Sequence, residues 1–128
     1  MTVSIGKPGY MSAAQLKELS ERGHVIGAHT YDHPLSSHLA QGDWDQQLLK
    51  PKLLLEKIIQ KPVNYFAYPF GSWSDKYIQE LKRYNYKAAF QLSGRTNTLA
   101  PEYTIKRVMV TSDLTPKHLH RIISSSFR

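Results

Sequence analysis

The sequence contains no cysteine. That excludes disulfide stapling, thiolate zinc sites and a cysteine nucleophile, while leaving the compartment open. No apolar run approaches the length of about eighteen residues that a membrane span needs, so no transmembrane helix is predicted. The opening stretch, residues 1–12, has no apolar core, which predicts no secretory signal. Acidic residues are scarce: ten Asp and Glu stand against seventeen Lys and Arg, for a net charge of +7, and Asp32 is the first aspartate. The cations are scattered, Lys50, Lys82, Arg107 and Arg121 among them, with no block of five. Without a clustered patch or a recognition motif, a solvated basic surface is favoured over a nucleic-acid groove. Repeats and low-complexity segments are missing too. What is there, 128 residues with 41% hydrophobic content, fits a single domain over residues 1–128.

Local signals divide the chain into alternating elements. Ser12 and Gln15 form a capping box before a helix over 13–22, with Leu16 and Leu19 on one face and Gly23 as its stop. Residues 24–29 read as a buried strand. Asp43 is expected to cap a second helix carrying Leu48, Leu49, Leu53, Leu55, Ile58 and Ile59, kinked or restarted at Pro51. A strand over 63–67 and a turn at 68–71 follow. Ser74 then caps a helix with Tyr77, Ile78, Leu81 and Tyr84 on one face, leading to a strand over 86–90. After a polar loop at 93–102 come a strand over 104–110 and a helix capped by Thr115, with Leu119, Ile122, Ile123 and Phe127 toward the core. Four helix–strand alternations imply a parallel α/β sheet or barrel.

In such folds functional groups collect at the C-terminal ends of the strands. Two loops qualify. The first holds His29 and His33, which could reach one divalent ion if the backbone turns like a helix between them. The residues alone leave two readings open: metal ligands, or imidazoles that cap and hydrogen-bond the loop. His24, His38, His118 and His120 read as surface residues.

The run from Gly23 to Pro34, with His29, Thr30 and His33 in the order H-[ST]-x-x-H-P, resembles the second motif of the polysaccharide deacetylases. These are the proteins with the NodB-homology domain, carbohydrate esterase family four. Phe66 to Gly71 resembles their third motif, in a variant similar to the branch acting on poly-N-acetylglucosamine and related exopolysaccharides. The resemblance implies an irregular (β/α) barrel and metal-dependent hydrolysis of N-acetyl groups from the amino sugars of a glycan. It assigns His29 and His33 to the metal, zinc or a similar divalent ion, and the backbone amide of Phe70 to the oxyanion. Thr30, Tyr31, Tyr68, Pro69, Phe70, Gly71 and Trp73 are the expected substrate groove, although Phe70 and Trp73 could equally pack the barrel mouth. At the family's third motif, Ala67 and Tyr68 stand where many members have arginine and proline.

The family's opening T-F-D-D-G motif, which provides a general base and a third metal ligand, has no counterpart in this sequence. Glu18 and Glu21 are poor substitutes, so no catalytic residue is assignable. The expectation is therefore a partial, truncated barrel that lacks its first strands, with weakened metal binding unless Asp32 or a partner's carboxylate helps. Uncovered strand edges predict a homo-oligomer, with strands exchanged in one version, or a partner chain that supplies the missing strands. Isolated activity is expected to be very weak. The alternative is a catalytically dead carbohydrate-binding or structural remnant. The family resemblance also implies a cell-envelope or extracellular setting.

Overall fold

The computed structural model describes residues 1–92 and 94–126. Ser12 opens α1 (Ala13–Glu21) with a complete capping box: its hydroxyl accepts from the Gln15 N–H, and the Gln15 side chain accepts from the Ser12 N–H at 2.8 Å. Substituting such a cap costs about 1 kcal/mol. Helix α3 (Asp75–Arg83) starts in a similar way, the Ser74 hydroxyl accepting from Tyr77 N–H, and it buries Tyr77, Ile78 and Leu81.

The second helix differs from expectation at its start. Asp43 does not cap it; its carboxylate accepts from the Ala40 N–H instead, at 2.8 Å. A wide π turn, Asp45–Leu49, leads into α2 (Lys50–Ile59). Pro51 has no N–H to donate and its ring crowds the preceding turn, so widening that turn relieves both problems. Leu48, Leu55 and Ile59 face the core, whereas Leu53 is 54% exposed.

Strands β1 (Tyr65–Ala67), β2 (Ala88–Gln91) and β3 (Ile105–Lys106) pair in parallel, in sequence order. Ala28 adds a single parallel bridge to Phe66 on the other side of β1. Two strand expectations are thereby corrected. Residues 24–29 are not a buried strand: only Ala28 bridges, and Val25, on the outer side of the sheet, is 72% exposed. The strand expected over 104–110 shrinks to β3, beyond which Met109 and Val110 lie open to solvent.

Thr115 does cap α4 (Pro116–Ser126), accepting from His118 N–H at 3.3 Å. The helix contributes no residue to the core, however, and Ile123 is exposed. Its expected burial is a further correction; Phe127 lies outside the described residues.

The core sits between the sheet and helices α2 and α3. Trp44, Phe66, Tyr68, Tyr77 and Tyr86 pack largely edge to face there, with ring centroids 5.0 to 5.7 Å apart. Tyrosine brings a hydroxyl inside that must be satisfied. Tyr68 donates to the Tyr103 carbonyl at 3.0 Å, Tyr103 to that of Tyr86 at 2.7 Å, and Tyr86 to that of Leu48 at 2.8 Å. This string links the π turn, the approach to β2 and the turn before β3. Burial pushes the phenols of Tyr68, Tyr77 and Tyr86 far above their ordinary pKa.

Candidate active site

Because the strands run parallel, the segments after Ala28 and after β1 emerge side by side. Ala28 N–H donates to the Tyr65 carbonyl and Ala67 N–H to the Ala28 carbonyl, both at 2.9 Å. The first segment then reverses. Thr30 and His33 both take left-handed backbone conformations, φ +60 and +69, rather than the helical turn expected between the histidines. The Thr30 hydroxyl holds this turn: it donates to the His29 carbonyl at 2.6 Å and accepts from His33 N–H at 3.0 Å. Its effect is to bring the two imidazoles together, centroids 4.7 Å apart and edge-on at 71°.

A second support comes from the π turn of the next helix. The Gln47 side chain accepts from Tyr31 N–H at 3.1 Å and donates to the Asp32 carboxylate at 2.8 Å. A wide turn next to a functional loop is a recurrent use of π geometry.

His29 Nδ1 lies 2.7 Å from the Ala67 carbonyl. A carbonyl only accepts, so the ring proton belongs on Nδ1 and the Nε2 lone pair is free. Burial lowers the His29 pKa, the bond to Ala67 opposes it in part, and the His33 and Arg107 charges add to the lowering. The ring is therefore held neutral and in one tautomer, the state in which imidazole ligates a metal. On that chemistry His29 and His33 fit two positions of a nitrogen-rich divalent site. Among the described residues no group of three or more His, Cys, Asp or Glu side chains is arranged to hold an ion. Asp32 is engaged by Gln47, and Glu18 and Glu21 pair with Arg22 and Lys17 on the exposed face of α1. His24, His38, His118 and His120 are all exposed, as expected.

The second loop supplies the walls. Phe70 takes φ +56, is 58% exposed, and sets its ring edge-on to His33 at 4.6 Å. It does not pack a barrel mouth. Trp73 is half-buried; its indole N–H donates to the Gln91 side chain at 2.9 Å, and the Arg95 guanidinium lies 5.7 Å from its ring centre. Tyr31 is half-buried beneath Lys50 Nζ, 3.8 Å from its ring centre.

The groove expectation narrows accordingly. Thr30 and Tyr68 are fully buried, their hydroxyls spent on the backbone, and Pro69 and Gly71 lie under the turn. These four shape the site from beneath, while Tyr31, Phe70 and Trp73 present surface.

Arg107 was not legible in advance. It follows β3 directly, and its Nη2 donates to the Tyr68 carbonyl at 3.0 Å, beside Ala67 and His29. One arginine among seventeen cations carries no signal in composition. Its place at the C-terminal end of a short strand was the available clue.

This chain belongs to the polysaccharide deacetylase family, whose sequence model matches residues 4–89. It is similar to the crystal structure of a polysaccharide deacetylase from Bacillus cereus, with TM-score 0.84 and 26% identity, covering 95% of this chain and 39% of that one. It is similar as well to IcaB from Ammonifex degensii, with TM-score 0.68 and 26% identity over 88% of this chain and 55% of that one. A curated peptidoglycan-N-acetylglucosamine deacetylase of Bacillus cereus is 29% identical over 56 residues, 44% of this chain and 20% of the relative. The chain spans less than half the length of the curated relatives it matches. The family resemblance read from the two loops is borne out, and so is the fold class: a small parallel sheet with flanking helices, an arc of the deacetylase barrel.

Proposed function

We propose that residues 1–128 act as one domain of a carbohydrate N-deacetylase, hydrolysing N-acetyl groups from the amino sugars of a polysaccharide. The observation that carries this is the imidazole pair. His29 and His33 lie edge-on at 4.7 Å, with His29 fixed by Ala67 so that Nε2 is free. A divalent ion held there, zinc by the character of the donors, supplies polarisation of the acetamide carbonyl and a more acidic water.

The remaining tasks fall to the chain's own groups. His29 and His33 are the protein ligands. The backbone amide of Phe70 donates to the oxygen on which charge develops. The exposed ring of Phe70, with Tyr31 and Trp73, offers flat apolar faces to sugar rings, and Thr30, Tyr68, Pro69 and Gly71 set their placement. No carboxylate base stands beside the imidazoles among the described residues. Loss of a general base costs roughly two to four orders of magnitude in rate, so the chain by itself is a feeble hydrolase. A second copy or a partner chain completing the sheet is part of the same proposal, as is an envelope or extracellular setting.

A second reading, glycan binding without hydrolysis, draws support from Asp32. Its carboxylate is engaged by Gln47 instead of facing the imidazoles.

Calorimetric titration with zinc, comparing the chain with its His29→Ala variant, tests the metal half of the proposal. Binding that disappears in the variant is the expected result; equal binding, or none in either protein, counts against it. Acetate release from acetylated chito-oligomers, with the zinc-loaded chain, then separates hydrolysis from binding alone.

A further inference from the structure

The inner face of the sheet, between the Ala28 segment and β2, is a cavity of about 670 Å³ whose lining includes Val25, His29, Tyr65, Ala67, Phe90 and Arg107. Arg107 is the one cation in that lining. Its backbone N–H is fixed to the Gln91 carbonyl at 2.9 Å and its Nη2 to the Tyr68 carbonyl at 3.0 Å, so the guanidinium is held from two directions. Its Nε is buried and has no hydrogen-bond partner among the described residues. No carboxylate forms an ion pair with it there either; the four ion pairs involve other residues.

An arginine keeps its charge even where burial disfavours it, as burial does here. A buried N–H left unpaired on a charged group is costly, and native structures rarely keep one without a reason. The group that best answers a guanidinium is a carboxylate, whose oxygens accept charge-assisted bonds. The apolar walls strengthen such a bond by excluding water.

We propose that Arg107 is a carboxylate-holding residue of the His29 cavity, its Nε–H donating to an oxygen of a small carboxylate bound on the inner face of the sheet. Two sources share this chemistry. One is acetate, the carboxylate that deacetylation releases, and that source rests on the function proposed above. The other is an Asp or Glu side chain delivered by a second copy of this chain. Either way Arg107 binds an anion that the imidazoles, held neutral, do not attract by charge.

Nitrogen-15 NMR of the arginine Nε–H resonances, on the whole metal-free chain, tests this. Sodium acetate is the probe and sodium chloride at equal ionic strength the control. The expected result is a saturable acetate-dependent shift of the Arg107 Nε–H, absent with chloride and at least tenfold weaker in Arg107→Lys, which keeps the charge and loses the Nε donor. A shift that follows protein concentration and not acetate supports the second-copy source. An Arg107 Nε–H that responds to neither, or equally to acetate and chloride, overturns the proposal. Arg107→Gln provides a second variant should the lysine form fold poorly. Because the readout is a resonance and not turnover, a chain that fails to release acetate from glycans can still show the shift, and the two failures remain separate.

Discussion

Thr30 decides the local geometry of the site more than either histidine does. Thr30→Val preserves its shape and removes both hydroxyl bonds, leaving the His33 N–H without its acceptor. The expected loss is about 1–3 kcal/mol of stability by urea denaturation, with zinc binding weakened beyond what that loss explains. Thr30→Ser should behave nearly as the natural residue, and a valine variant that binds zinc normally would show that the turn is held by other means. His29 makes a pH prediction. Burial sets its folded pKa below the ordinary 6.5, so the unfolded chain takes up the proton first as pH falls. Its contribution is thus complete above about 6.5 and is lost on acidification below it. In chelator, the thermal midpoint should fall between pH 7 and 5 more steeply in the natural protein than in His29→Gln. Equal slopes would mean that the folded imidazole takes up its proton as easily as the unfolded one.

At the scale of elements, the turn after β1 is the most tightly constrained. A Cβ on Gly71 would lie 2.5 Å from the Leu92 backbone nitrogen, and the residue sits at φ +69. Gly71→Ala should therefore cost about 3 kcal/mol or more, read as a shifted urea midpoint or as failure to accumulate folded protein. Near-normal stability would imply that the chain after β2 can yield. The helices α1 and α3 were legible because their caps, Ser12 with Gln15 and Ser74, act within four residues. The histidine loop was legible for a similar reason, its motif being contiguous. Less could be read where the outcome depends on distant neighbours. Residues 24–29 and 104–110 have strand composition, yet only Ala28 and β3 pair, because pairing needs a strand alongside. Leu119, Ile122 and Ile123 have core spacing on α4, but nothing in a single helix says what it faces. Tyr68 looked like groove because its motif is, while its hydroxyl bond to Tyr103, 35 residues later, draws it inside.

For the molecule as a whole, the sheet ends in an unfinished edge. Val25 is 72% exposed, and Tyr65 and Ile105 are open as well. Apolar edges of this kind template association. Light scattering should show a mass that rises with concentration, and Val25→Lys should lower it; a strict monomer across the range would argue against an incomplete sheet seeking a partner. The backbone geometry has a separate consequence. Of five non-glycine residues in left-handed conformations, Thr30, His33 and Phe70 belong to the two loops of the candidate site, while the tyrosine-rich interior has none. Such residues are each tolerated at some expense in stability, which glycine or asparagine would relieve. Laboratory selection for heat tolerance alone should drift toward those residues at positions 30, 33 and 70. It would yield sturdier chains whose catalytic rim has been edited away.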